Sequence, residues 1–534
     1  MRGIAEGMDN PIAQFKMLEL MYEAACFNQS IGDIEGYTYV ARLFFEGFSV
    51  YLKPIQVWME SAQLAEEESM FFVSRNAREI GSESYWRDQY RLIYSEDDHV
   101  YAPSFFHPSV YKILNAGKNV DFLKRLGVDV KAECDCPLSF ESVLDNTDSE
   151  TLNPFADLLN LALNDWITCS YKASSIRLRV YLESQCGLQS NLDALEYIYF
   201  CRDGAVTAQA LGAIYDRPDE SQGAWNDRFV LTEFFRSAFS ALPCINVLRL
   251  TVRSYADIQH FSDRRSSVKA LETLVIRYPL SWPLATFIRP EFMTIYQRIL
   301  VFLMQVQRTK FVLEHRQHSR RAWARSWSVL ELHSASSLRH RLLWLANALL
   351  TYLTEVVLLR FTSKMRLDLA EAEDIDKMSD IHTAYIVRLE AQCLLSKQLA
   401  PIHQAIIALM DLAISFTETH ARWTDRNLED RNGHIVAEGR PRSLDCHTNQ
   451  QALVFSEHKG ESLNMYQLSV EPPSGSHTTH MSQLKTMHKT YERLQEFIRA
   501  GLRSVHRVGN EWCWETLADL LSYKVRGNST PDVE

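Results

Sequence analysis

Ten cysteines and 17 histidines could bind a metal, and their spacing assembles no site. Cys134 and Cys136 sit in Glu-Cys-Asp-Cys-Pro, giving two thiolates where structural zinc needs four ligands, and no nearby Cys or His completes the set. No CxxC pair occurs anywhere in the chain. His477 and His480 form the nearest histidine cluster, in a Ser/Thr/Pro-rich stretch without the helical period that fixes ligand geometry. The lysine of Gly117-Lys118 could reach a phosphate, but the upstream Gly and the following Ser or Thr of a phosphate-cradling loop are missing. GxGxxG, GxSxG and HExxH are absent. The carboxylate runs Glu66-Glu67-Glu68 and Glu96-Asp97-Asp98 read as solvated faces or turns. Missing motifs do not exclude an enzyme, but they shift the expectation to a binding protein without catalytic residues, cofactor or metal.

One cluster has an electrostatic use. Between Glu291 and Arg341 stand nine Lys and Arg against three Glu, a local net charge of +6 centred on Arg308, Lys310, Arg320, Arg321 and Arg325. Such a strip could steer an acidic partner. A solvated helix end and loop would show the same residues. The interleaved aromatic and basic spacing of a single-strand nucleic-acid groove is absent.

The elements that must carry these residues are helical. Of 534 residues only 19 are Gly and 16 Pro, too few for a turn-rich all-β or collagen-like chain. The length allows two or more cores. The formal net charge of -11 argues against a nucleic-acid binder. The acidity is concentrated at the front, where residues 1–150 hold 13 Lys and Arg against 25 Asp and Glu. The opening MRGIAEGMDN has no apolar h-region, and the longest apolar tract, Leu342 to Leu358, is interrupted by Glu355, so a cytosolic chain without membrane insertion is expected.

Apolar residues recur at spacings of three and four. Leu342, Leu345, Leu349, Leu353 and Val356, with Leu350 and Val357 beside them, make one stripe; Phe292, Ile295, Ile299, Leu303 and Val306 a second; Met378, Ile381, Tyr385 and Leu389 a third; Ile402, Ile406, Leu409, Ala413 and Phe416 a fourth. These predict packing between antiparallel helices. The polar run 145–154, ending in Asn-Pro, predicts a boundary between domains 1–150 and 151–534. Residues 424–481 lack helical period and predict an exposed or disordered insertion.

Several stretches read together as a family pattern. GYTYVARLFFEGFSVYLKPIQVWMESAQLAEEESMFFV (36–73), APSFFHPSVYKILNAGKNVDFLKRLG (102–127), RLRVYLESQCGLQSNLDALEYIYFCRDGAV (177–206) and RYPLSWPLATFIRPEFMTIYQRILVFLMQVQRTKFVLE (277–314) follow one another in order. After them come Trp323 and Trp327, LRHRLLWLANALLTYL, DIDKMSDIHTAYIVRL and CLLSKQLAPIHQAIIALMDLAISF. This collinear series over residues 36–421 resembles the gamma-tubulin complex component family, and NAGKNVDFLKRLG is most similar to its component 5 type. Tyr278, Trp282, Pro283, Tyr296, His382 and Tyr385 mark the resemblance, and their residue types suit packing and chain direction.

The resemblance implies an all-α fold, an elongated series of helical bundles forming N-terminal and C-terminal GRIP domains. It implies gamma-tubulin as the partner of the C-terminal domain and other gamma-tubulin complex components as lateral neighbours of the N-terminal one. It also implies a role in microtubule nucleation at a microtubule-organising centre or spindle pole body, without catalysis by this chain. Against the family pattern the N-terminal domain looks short at its start, and EWCWETLADLLSYKVRG lacks the usual terminal Arg-Leu and Phe-Asn elements. A helical vesicle-tethering or adaptor scaffold shares the composition and the stripes, and would have vesicle or cargo-receptor partners.

Overall fold

A computed structural model describes residues 11–64, 71–76, 84–94, 100–128, 154–220, 227–255, 267–315, 329–436, 480–509 and 511–522. The protein is mostly helical. It divides into two compact units: residues 1–188 with 280–290 and 369–380, and residues 189–279 with 291–368 and 381–534.

The first unit opens with a helical hairpin, α1 (Pro11–Ile31) and α2 (Ile34–Ser61). Gly32 adopts a φ of 85° in the turn, and Asp33 caps α2 by accepting the Gly36 N–H at 3.0 Å. β1 (Val73–Arg75) pairs antiparallel with β2 (Tyr90–Leu92), placing Val73 opposite Leu92, and α3 (Tyr85–Asp88) precedes β2. α4 (Val110–Arg125) and α5 (Phe155–Ser184) then pack on the hairpin. The core is aromatic: the Phe44 ring lies 5.1 Å from Phe48, 5.8 Å from Phe105 and 5.8 Å from Phe155. Most of these pairs meet edge-on, as the ring quadrupole favours.

The division falls between Leu188 and Gln189, whereas the sequence reading put it at 150. Of the polar run 145–154, only Pro154 lies among the described residues. The side chains of α5 account for the difference. Phe155 closes the aromatic core, and Asn119 of α4 donates to the hydroxyls of Ser174 at 3.3 Å and Ser175 at 2.9 Å.

The second unit begins at α6 (Leu188–Tyr199), followed by α7 (Gly204–Glu220) and α8 (Arg228–Phe239). β3 (Thr251–Ser254) pairs antiparallel with β4 (Leu274–Arg277). α9 (Trp282–Ala285) lies in the part of the chain that joins the first unit. α10 (Met293–His315) and α11 (Val329–Thr351) come next, and α11 runs through a π-helical segment, Tyr352–Leu359, into α12 (Arg360–Glu371). α13 (Ile375–Gln392), α14 (Ala400–Val436), α15 (His480–Gly509) and α16 (Trp512–Leu520) complete the order.

The apolar stripes become core apart from Ile295, Val356 and Ile381, which are half-buried. Ile402, Ile406, Leu409, Ala413 and Phe416 are all buried. Along α11 and α12 the buried residues run Leu345, Leu349, Leu353, Val357, Phe361 and Met365, at a constant step of four. In an ideal helix each such step drifts about 40° round the axis, so the stripe would leave its neighbour within a few turns. The π segment winds more loosely and takes up the drift, which buries Val357 and leaves Val356 half-buried.

The expected insertion is narrower than 424–481. Helix α14 continues to Val436 and α15 starts at His480; the remainder lies outside the described residues.

Candidate partner-binding surfaces

The family-marker residues form an internal framework. In the second unit Tyr278 is buried and its hydroxyl accepts the Asn246 N–H at 3.2 Å. Tyr296 and His382 are buried and share a hydrogen bond, hydroxyl to Nε2, at 3.1 Å. Tyr385 pairs its hydroxyl with Thr362 Oγ1 at 2.7 Å. Burial raises the Tyr296 and Tyr385 phenols far above their usual range, so they stay neutral. Gln297 grips β4 on both sides, donating to Leu274 O at 2.8 Å and accepting from Ile276 N at 3.1 Å. In the first unit Trp282 opens α9 with its ring 4.9 Å from Phe122. Pro283 stands in the first turn, where a missing N–H breaks no helical bond.

Gly117 and Lys118 are internal too. Lys118 is buried in the first unit with its ammonium 4.4 Å above the Trp86 ring and 3.6 Å from Asp376. Desolvation lowers its pKa, and Asp376 opposes that shift.

The basic strip does not form one exposed surface. Arg308 is 5% exposed and its Nη1 donates to the Ser267 carbonyl at 3.3 Å, so it ties α10 to the segment before β4. Lys310 is half-buried. Arg339 donates to Leu313 O at 2.8 Å, and Arg341 pairs with Glu492 at 3.0 Å. Arg320, Arg321 and Arg325 lie outside the described residues.

Outward-facing positive charge stands on α15. Its buried residues, Leu484, Tyr491, Ile498 and Leu502, follow a narrow seam against the core. Lys485, Lys489, Arg493 and Arg507 fall away from that seam, are exposed, and have no ion-pair partner among the described residues. Arg503 instead leans on α16, 3.2 Å from Ser522 Oγ and 3.7 Å from Asp519. Beside this helix an open groove of about 600 Å³ is lined by Trp344, Thr516, Asp519 and Leu520. The sequence reading missed the ridge, although lysines and an arginine at 485, 489 and 493 are spaced for one helix face.

Charge inside the unit is matched. Arg366 of α12 donates from Nε to Glu196 at 2.8 Å and from Nη2 to Asp193 at 2.8 Å. Glu196 is buried; desolvation raises its carboxyl pKa while Arg366 opposes the shift. Among the described residues no three His, Cys, Asp or Glu side chains come together to hold a metal. Cys134, Cys136 and His477 lie outside the described residues, and His480 is buried with its ring 6.0 Å from that of His420.

The tyrosines and histidines thus serve as internal ties of a helical framework, and a cationic helix is turned outward. The chain belongs to the gamma-tubulin complex component family: residues 1–183 match its N-terminal domain, described as Gamma tubulin complex component N-terminal, and residues 188–523 the C-terminal one, Gamma tubulin complex component C-terminal. These are structural, non-enzymatic proteins. Among curated relatives, the chain is 21% identical over 296 residues to gamma-tubulin complex component 5 of Mus musculus, a match covering 51% of this chain and 29% of that protein. It is 20% identical over 296 residues to gamma-tubulin complex component 5 of Macaca fascicularis, covering 51% and 40%. The matched region thus spans well under half of either relative.

Proposed function

We propose that this protein is a structural subunit of the gamma-tubulin ring complex. Its C-terminal unit binds gamma-tubulin, its N-terminal unit packs laterally against other components, and the assembly supports microtubule nucleation at a microtubule-organising centre. The observation that carries this reading is the succession of both family domains along one chain, 1–183 and then 188–523. The geometry adds a place for charge steering, the exposed Lys485, Lys489 and Arg493 of α15; Arg320, Arg321 and Arg325 add positive charge elsewhere in the region 188–523.

Co-purification of the full chain with gamma-tubulin tests the reading. Retention at low salt is expected, and a folded chain that retains none would end it. The double substitution Lys489→Glu and Arg493→Glu should weaken retention by about tenfold and flatten its dependence on ionic strength, with the thermal midpoint unchanged. Unaltered salt dependence would remove the ridge from the interface and leave the family reading in place.

A further inference from the structure

Arg264 and Arg265 stand directly ahead of Ser266 and Ser267, with Val268 after them, and Arg-Arg-x-Ser occurs at no other place in the chain. Paired arginines ahead of a serine, with an apolar residue behind it, form a charge pattern that protein kinases with acidic substrate pockets read. Ser267 is also a fastening point of the second unit. Its hydroxyl donates to Asp411 Oδ1 of α14 at 2.8 Å, and the same oxygen accepts the Val268 N–H at 2.8 Å. The hydroxyl oxygen in turn accepts the Lys269 N–H at 3.1 Å and so caps the 3-10 helix Val268–Thr273. From α10, Arg308 donates to Ser267 O at 3.3 Å and Gln305 to Val268 O at 3.4 Å. Fastened in this way, the 3-10 helix packs on α10 and α14, buries Val268, Ala270 and Leu271, and leads into β4.

A phosphate on this hydroxyl is incompatible with the fastening. Esterification removes the proton given to Asp411 and sets about two negative charges and three acceptor oxygens against its carboxylate. Burial already pushes the Asp411 carboxyl up, and the Val268 N–H and the Ser267 hydroxyl oppose that shift, helped by Lys269 and Arg308. With a phosphate present the same two cations are shared between it and Asp411. Ser267 is half-buried, so the repulsion is screened less than on a free surface. A kinase takes the hydroxyl from the locally opened segment, and the modified segment does not reclose on Asp411.

We propose that Ser267 is a phosphoacceptor for an arginine-directed protein kinase, and that its phosphate displaces the 267–273 segment from Asp411 and loosens the second unit. ATP supplies the phosphoryl group. The bond from Ser267 Oγ to the γ-phosphorus forms as the bond to the bridging β,γ-oxygen breaks, ADP leaves, and the hydroxyl proton passes to the kinase's catalytic base. The test treats the full chain with magnesium, ATP and a purified arginine-directed kinase, and maps the phosphate by mass spectrometry. Phosphate is expected on Ser267, and Arg264→Ala/Arg265→Ala should slow its incorporation about tenfold. No phosphate on Ser267, phosphate on Ser266 alone, or an undiminished rate in the arginine variant would overturn the site. Ser267→Ala, treated alike, carries whatever phosphate is placed elsewhere, so the difference between the two proteins isolates Ser267. The phosphorylated wild type should melt about 3–6 °C lower than its untreated form, with no such drop in Ser267→Ala. An unchanged midpoint would overturn the displacement. In Asp411→Asn the amide oxygen still accepts both bonds without a charge, and phosphorylation should lower the midpoint by less than half as much; an equal drop would remove Asp411 as the cause.

Discussion

Replacing Gly117 by Ala tests the packing of the first unit at one atom. Gly117 is buried within α4, and a Cβ built on it falls 2.0 Å from Cε2 of Trp58 and 2.3 Å from its Nε1. An ordinary carbon contact needs about 3.5 Å, so the ring must retreat by roughly 1.5 Å. It has little room, being fully buried with Tyr90 edge-on at 4.8 Å. Movement also breaks the bond from Trp58 Nε1 to Ile113 O, now 3.0 Å. Overpacking costs about 1–3 kcal/mol, and a stranded buried donor about 1–3 kcal/mol. Removing a helical glycine returns about 1 kcal/mol. The net expectation is a loss of about 3 kcal/mol, read by urea denaturation of the full chain followed by circular dichroism. Gly212→Ala is the matched control, because Gly212 is also helical and its added Cβ meets nothing within 4 Å. That variant should be neutral or gain up to about 1 kcal/mol. If Gly117→Ala matched the control, the close approach of Trp58 would not be what requires a glycine there.

Acid should destabilise the second unit before its carboxylates titrate. Burial holds the His403 and His420 imidazoles down at about 4, whereas the unfolded chain takes up those protons near 6.5. The stability each contributes is complete above pH 6.5 and is lost as pH falls towards 4, up to about 3 kcal/mol apiece. His420→Phe should shallow the fall in unfolding free energy between pH 7 and 5, and an identical slope would refute the assignment. Arg366→Met should cost about 2–4 kcal/mol, because buried Glu196 then keeps, among the described residues, Arg202 at 3.1 Å as its charge partner. Adding Glu196→Leu should recover part of that loss, and a double variant no more stable than the single would show that the stranded carboxylate is not the cause.

The parts of the fold legible in the sequence are those set by neighbours a turn apart. The stripe from Ile402 to Phe416 needs only local spacing, and every member is buried. The division at Leu188 needs Phe155 and Asn119 to find partners far along the chain, and the requirement for Gly117 is written in Trp58, 59 positions earlier. Long-range matches of this kind leave no periodic trace. The family markers were also legible by type, but not their contacts: Tyr296 meets His382, 86 positions on, and Tyr385 meets Thr362.

The basic residues show where a further step in reading the sequence was open. Arg308 and Lys489 carry the same charge, and counting charges by segment treats them alike. The helices differ: α10 buries Ile299, Leu300, Phe302, Leu303, Met304 and Val306 over an arc of about 200°, and Gln305, Arg308 and Thr309, also buried, fill the remaining directions. A helix buried on every side is surrounded by protein, so its arginine must be satisfied inside, as Arg308 is by Ser267. In α15 the buried apolar residues keep to one seam, and Lys485, Lys489, Arg493 and Arg507 stand away from it. Its cations are therefore left facing solvent, where a partner can reach them. The angular width of the apolar face around a charge, more than the number of charges in the segment, separates an internal tie from a docking residue.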